Sequence, residues 1–298
     1  MKVQIIVDST VDMPEHSRSA CRVVPLTVHF GEESFIDGVT LNKQDFYRRL
    51  AEGGALPTTS QATPAAFQSV FDEVTRAGDS AVVITLASQF SGTYQSACIA
   101  AEDLREKSPK AKILVIDSLS ASRGQGMLLY RAVRERREKN LTIDELDAYV
   151  RSIIQSQCHW FIVDDLNHLK RGGRVSSTAA LVGTMLGIKP VMHTDSEGRL
   201  TPVSKARGTK AALRALVDKV SEIGVEPAKN QPMLICHANC PESVEYVKGL
   251  LKERFGVTDV RDEGTNTDGR HGAHSLIHQL RGLGGHHLHE HAERASLS

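Results

Sequence analysis

Aromatic side chains are scarce in this chain. Phe, Trp and Tyr make up 5% of its 298 residues, which argues against a surface built to stack nucleic-acid bases. Neither sign of charge is in excess: 36 Lys and Arg balance 36 Asp and Glu, so there is no basic footprint for nucleic acid. No apolar run approaches the roughly 18 residues of a spanning helix, so stable membrane insertion is not expected. The first residues, MKVQIIVDST, lack a hydrophobic region followed by a cleavage site, and no signal peptide is expected. Cysteine is sparse too. Five cysteines without a C-x-x-C pair read as reduced thiols of a cytoplasmic protein. CHANC sets Cys236, His237 and Cys240 close together, but no second half-site of zinc-like spacing follows. A buried cysteine at a strand end is the plainer reading, and no metal site is expected.

What is present is an alternation of short apolar runs and helical patterns. VQIIVDS, AVVITL and KILVID are continuous apolar runs, suited to strands buried on both faces of a parallel sheet. RVVPLTVHFG followed by ESFIDG reads as a hairpin or an extended excursion. Asn42 starts a short helix. Thr63 and Pro64 start another, with Phe67, Val70, Phe71 and Val74 at helical spacing and Gly78 closing it. TTSQ, Thr58 to Gln61, reads as a loop ahead of that helix. SRGQGMLLYRAVRERREK reads as a helix with a basic outer face, and the next helix opens with a capping box of Thr142 and Glu145. Strands alternating with helices predict an α/β fold with a mostly parallel sheet. The second half differs. KPVMHTDSEGRLTPVSKAR reads as two antiparallel strands about the turn DSEG, and Ser176 or Ser177 as the cap of a helix through Gly187. Two domains are therefore expected: an N-terminal mostly parallel sheet flanked by helices over 1–158, and a C-terminal mixed or antiparallel sheet with helices over 159–285. After Val260 no convincing strand is visible, and a disordered tail is expected over 286–298, where His286, His287, His289 and His291 can bind metal ions only loosely.

Three turns carry hydroxyls. Ser91, Gly92 and Thr93 stand where the strand AVVITL gives way to an alanine-rich helix. A serine N-cap, the outward-facing amides of a helix start and a glycine that admits close approach make an anion site. An ordinary helix cap fits the same spacing. TTSQ and DST, Asp8 to Thr10, are the other two. In open α/β sheets the carboxyl ends of strands converge on one crevice, so together the turns favour a small anionic head group. Ser91 lacks a G-x-S-x-G elbow, no P-loop is present, and GQGMLL is an incomplete dinucleotide fingerprint. LKRGGR offers Lys170, Arg171 and Arg174, and SKARGTK offers Lys205, Arg207 and Lys210. In glycine loops such residues usually stay solvated; facing the crevice, they would attract a carboxylate or phosphate.

IIVDSTVDMP, LPTTSQATPAAF, LASQFSGTYQSACIAAE, VIDSLSASRGQGML, FIVDDLNHLKRGGRVSS, LGIKPVM and GRLTPVSKARGTKAAL follow one another in this order. The series resembles the DegV family of bacterial fatty-acid-binding proteins, which includes the FakB subunits of fatty acid kinases. The resemblance implies a two-domain α/β protein with a long-chain fatty acid between the domains, its carboxylate held by Thr59 and Ser91. It implies no cofactor and no nucleotide site, and a separate ATP-dependent kinase as partner that forms an acyl-phosphate. Arg207 and a histidine, here His274 of GAH, would serve the phosphoryl step. The family's G-P-G after that histidine is missing here. The alternative is a hydrolase or acyltransferase using Ser91.

Overall fold

The computed structural model describes residues 2–13, 19–163, 166–175, 187–223, 226–229, 232–264 and 273–280. The apolar runs of the first half form one sheet. β1 (Val3–Asp8), β2 (Arg22–Val24), β6 (Ser80–Thr85) and β7 (Ile113–Asp117) lie in the order β2-β1-β6-β7, all parallel. Successive side chains of β1 go to opposite faces. Ile6 packs with Phe67, Phe71, Ala97 and Leu104, from α2 (Pro64–Arg76) and α3 (Thr93–Lys107). Ile5 and Val7 pack with Met127, Leu128, Leu146 and Val150, from α4 (Ser122–Lys139) and α5 (Ile143–Ile154). Burial on both faces is why these strands read as unbroken apolar runs. The expected caps are formed: Thr63 accepts the Ala66 N–H at 3.2 Å, and Thr142 and Glu145 make the reciprocal box.

The excursion between β2 and α2 is a small antiparallel sheet, β4-β3-β5, of β3 (Thr27–Phe30), β4 (Glu33–Ile36) and β5 (Thr58–Ser60). Val28, Leu41 and Phe46 pack it onto α1 (Lys43–Glu52). TTSQ is therefore not a loop: Thr58, Thr59 and Ser60 pair with His29, Val28 and Thr27. Three hydroxyl residues carry no apolar alternation, and their partner strand is remote in sequence, so local pattern could not reveal them.

The second sheet starts at Gln157. β8 (Gln157–Val163) is followed by α6 (Leu166–Arg171), β9 (Ile188–Thr194) and β10 (Leu200–Arg207), and later by β11 (Met233–His237), β12 (Val260–Gly264) and β13 (Ala273–Leu280). The order is β10-β9-β8-β13-β11-β12, antiparallel throughout except where β12 runs beside β11. The expectation of no strand after Val260 is corrected by β12 and β13. AHSLIHQL spreads its apolar residues among polar ones, so no apolar run marks it as a strand between two others. The helix read from Ser176 or Ser177 to Gly187 and the tail 286–298 lie outside the described residues.

One face of this sheet, through Ile162, Val191, Met233 and Ile235, packs on α7 (Thr209–Ile223) and α8 (Pro241–Phe255). The other face meets the first half. Leu234 of β11 joins the same apolar cluster as Met127 and Leu129 of α4. Helix α4 thus lies between the two sheets. Its first turns, Ser122 to Gly126, are buried all round, and the basic outer face begins only later, with exposed Arg134, Arg137 and Lys139. Gly126 lets α4 lie close against the loop after β1, because a Cβ there would lie 2.2 Å from the Asp12 carbonyl oxygen. In an exposed helix Gly→Ala gains about 1 kcal/mol. Here the obstacle is backbone, so Gly126→Ala is expected to destabilise by about 1–3 kcal/mol in denaturant melts. A gain in stability would show that α4 is not held this close to the Asp12 backbone.

Candidate functional site

The carboxyl ends of β1, β6 and β7 meet at the boundary between the halves. The DST turn there is internal. Asp8 Oδ1 accepts the Thr10 N–H at 3.0 Å and the Thr10 hydroxyl at 2.5 Å, while Oδ2 accepts Leu86 N–H at 2.7 Å and Gln125 Nε2–H at 3.0 Å. Ser9 Oγ accepts the Leu26 N–H at 3.0 Å. Asp8, Ser9 and Thr10 are buried. These groups tie β1, β6 and α4 together and leave no open hydroxyl patch. Burial raises the Asp8 carboxyl to a pKa of about 6, against the downward pull of bonds from Thr10, Leu86 and Gln125.

The Ser91 turn faces outward. Helix α3 begins at Thr93 with Gly92 as its N-cap and no side-chain capping bond. Ser91 is therefore not the N-cap. One residue earlier, its Oγ accepts the Thr93 N–H at 3.2 Å and lies 2.9 Å from Thr93 Oγ1. Ser91 and Gly92 are half-buried, whereas Thr93 is fully buried. Thr93 Oγ1 accepts the Ala62 N–H at 3.3 Å, so this residue, read as part of the binding turn, braces one turn against the other. Gln61 is a residue that sequence reasoning missed. Its Nε2 donates to Ser96 Oγ at 2.9 Å, and its side chain lies where a Gly92 Cβ would be, 2.2 Å from Oε1. Gln61 thereby carries the end of β5, with half-buried Thr59, to the Ser91 turn. The two carboxylate-binding candidates are brought into one neighbourhood by a side chain between them.

Across from this turn stands the second sheet. A cavity of about 380 Å³ opens between Gln89 and Phe90 on one side and Arg174, Val175, Leu200 and Thr201 on the other. Arg174 spans it: Nε donates to the Phe90 carbonyl at 3.0 Å, and Nη1 donates to the Gly172 carbonyl. Arg174 of LKRGGR lines this cavity. Val175 and Leu200 continue into an apolar cluster of Phe161, Val163, Leu169, Met192 and Cys236 on the inward face of the sheet. The lining is mixed: Gln89, Arg174, Arg199 and Thr201 are polar and Phe90, Val175, Leu200 and Pro202 apolar, with Ser91 following Phe90 directly in the chain. Cys236 is the buried strand-end cysteine expected from CHANC, its thiol pushed up to about 12 by burial and by Asp12. His237 Nδ1 accepts the Cys240 N–H at 3.1 Å.

Arg207 is exposed and ends β10 opposite Ile188. Directly opposed residues share a face of a sheet, and Met192 and Ile188 lie on the inward face by alternation, so Arg207 does too. It stands six residues, about 20 Å of strand, from the cavity-lining Thr201. The backbone register puts His274 at the start of β13 beside Val163, three strand spacings or roughly 14 Å across the sheet from β10. These two candidates share one end of the sheet, away from the strand end that lines the cavity.

The arrangement is an α/β protein of two large sheets and one small one, with a cleft between the residues just ahead of a hydroxyl-bearing helix start and the edge of the second sheet. Residues 2–267 match the profile of the DegV family, described as "Uncharacterised protein, DegV family". A DegV domain-containing protein of Clostridium perfringens is 35% identical over 263 residues, covering 87% of this chain and 89% of that one. This chain belongs to the DegV family. The crystal structure of a DegV family protein from Thermus thermophilus, described for its fatty-acid binding, superposes with a TM-score of 0.82 at 26% identity, over 94% of this chain and 100% of that one. The fatty acid kinase (Fak) B3 protein of Streptococcus pneumoniae, loaded with linoleic acid, has the same fold, with a TM-score of 0.82 at 21% identity over 94% and 99% of the two chains.

The Asp8 network has a testable signature. The folded chain holds a proton on Asp8 up to about pH 6, whereas an ordinary aspartate releases it near 3.8. The associated stability is fully present below about pH 3.8 and is lost as pH rises through about 6, roughly 3 kcal/mol in all. Asp8→Asn sets an amide donor against the Leu86 or Thr10 N–H and is destabilised throughout. Its deficit relative to wild type should shrink between pH 4 and pH 7 in denaturant melts. A deficit that widens over that range would contradict the assignment.

Proposed function

We propose that this chain binds a long-chain fatty acid in the cleft and presents its carboxylate to a separate ATP-dependent kinase that forms an acyl-phosphate. The observation that carries the reading is the cavity, which opens at Gln89 and Phe90, directly before the Ser91 turn, and is lined across from them by Val175 and Leu200 at the edge of the buried apolar cluster. The fatty acids described in family members of the same fold support it.

The division of labour follows from magnitudes. Each buried methylene contributes roughly 0.8 kcal/mol, so a chain of about 16 carbons supplies on the order of 10 kcal/mol. A hydrogen bond to a charged acceptor adds about 1.5–3 kcal/mol. The apolar face therefore supplies affinity. Thr59, the Ser91 hydroxyl and the amides at the start of α3 after Gly92 fix which end of the ligand lies at the turn. Arg174 at the cavity edge adds a positive charge near the carboxylate. Arg207, about 20 Å of strand from the cavity, and His274, at the same end of the sheet, are assigned to contact with the body of the kinase and not with the phosphoryl group at the carboxylate. The chain itself does no bond-making in this reading.

The hydrolase reading requires Ser91 to have a base. Its hydroxyl is instead engaged with Thr93. His159, a buried histidine close to the boundary, is paired with Ser120.

Ser91→Ala and Thr59→Ala are each expected to weaken binding of oleate by about ten- to a hundredfold, measured by calorimetry, with thermal melting as control. Mass spectrometry of the purified wild type should find intact fatty acid and no acyl-serine. Unchanged oleate affinity in both variants would place the carboxylate elsewhere, and an adduct on Ser91 would favour the hydrolase.

A further inference from the structure

We infer that His159 is a positioning residue for the carboxylate turn, acting through Ser120. The inference rests on the fatty-acid reading above and goes beyond it by naming how the second sheet holds the binding turn.

His159 lies on β8, in the second sheet, and is buried. Its Nδ1 is 2.7 Å from Ser120 Oγ, in the loop after β7 of the first sheet, and 3.1 Å from Thr194 Oγ1 on β9. One ring nitrogen thus meets two hydroxyls. Nδ1 offers one lone pair or one proton, so the shorter contact, to Ser120, is the principal bond. Burial, with some help from His193, holds the ring neutral, with a pKa of about 3. Gly124 of α4 admits the ring, since a Cβ there would lie 1.9 Å from Ser120 Oγ and 2.9 Å from His159 Nδ1.

Ser120 passes this contact on. Its carbonyl accepts the Ala87 N–H at 2.7 Å, and Ala87 opens the turn that reaches Ser91 four residues later; the Ala87 carbonyl accepts the Phe90 N–H at 2.9 Å. Asp117, at the root of the same loop, accepts the Ser88 N–H at 3.2 Å and the Leu119 N–H at 3.0 Å. The loop is held away from relaxed backbone: Leu119 has φ of 49° and Ser122 of 55°, conformations that side chains rarely adopt. Strain of this kind persists only where surrounding contacts over-determine it. The Ser120–His159 bond is one such contact, and it comes from the opposite wall of the cleft. Removing it lets Ser118 to Ser120 relax and shifts Ala87 to Ser91, so the carboxylate loses its aligned donors while the apolar face is untouched.

The test is to titrate oleate and oleyl alcohol, of equal chain length but without the carboxylate, into wild type, His159→Leu, His159→Asn, Ser120→Ala and the double variant Ser120→Ala/His159→Leu. Leu keeps the bulk and removes the acceptor. Asn places an oxygen near the Nδ1 position. His159→Leu should lose about tenfold in oleate affinity, with alcohol affinity within twofold of wild type. His159→Asn should recover most of the loss, and the double variant should be no weaker than either single one. Ser120→Ala reads the same bond from the loop side if His159→Leu does not fold. Equal losses for oleate and alcohol, additive single effects, or unchanged oleate binding in His159→Leu would each overturn the inference and leave the fatty-acid reading standing. A wild type that binds neither probe overturns that reading, and the inference with it.

Discussion

Everything at the centre of this molecule depends on how closely α4 is gripped between the two sheets. An ordinary amphipathic helix covers one sheet with one face and shows the other to water. The first turns of α4 have no wet side, so the polar groups buried with them need partners at close range. Gly124 and Gly126 remove the side chains that would hold the neighbours off, Gln125 bonds to Asp8 and to the Ile84 carbonyl, and Ser122 donates to Asp12. The cleft is the continuation of this contact beyond the helix start, where the sheets are no longer filled by α4.

This grip explains which parts of the protein were legible in the sequence. The parallel sheet was, because burial on both faces leaves unbroken apolar runs, and helix starts were, because Thr63 and Thr142 use local bonds. The pairing of Thr58 to Ser60 with β3 was not, since its hydrogen bonds are to backbone some thirty residues away. The strand Ala273–Leu280 was hidden for a similar reason. Among site residues, Ser91 and Gly92 stood out by standing at a strand-to-helix junction. Gln61, Arg174 and His159 acquire their roles only from what faces them. The one local sign of His159 was a histidine two residues before Phe161 in an otherwise apolar strand, on the inward side by alternation. GQG reads as an imperfect nucleotide fingerprint; its glycines instead let α4 lie close against His159 of the second sheet and the Asp12 loop of the first.

The two ends of the cleft divide its chemistry. At the Ser91 end, donors are anchored in rigid elements: a helix start braced by Thr93 and Gln61, and a loop pinned through Ser120. Along the sheet, Phe161, Val163, Val175 and Met192 form an apolar stretch, which under the proposed function suits a ligand whose length and unsaturation vary. Under the proposed function, a head group held at one fixed point would leave its tail free to settle against that face.

The place of β13 has a further consequence. It fills the gap between β8 and β11, although it follows both of them in the chain by a wide margin. As the polypeptide leaves the ribosome, the first sheet and its helices can close on themselves, whereas β8 must wait beside an empty slot until residue 280 has emerged. During that interval the inward apolar face is a ragged edge instead of a wall, with unpaired strands open to wrong partners. The protein therefore completes its cleft last, and a nascent chain can have a finished Ser91 turn long before the opposite wall exists.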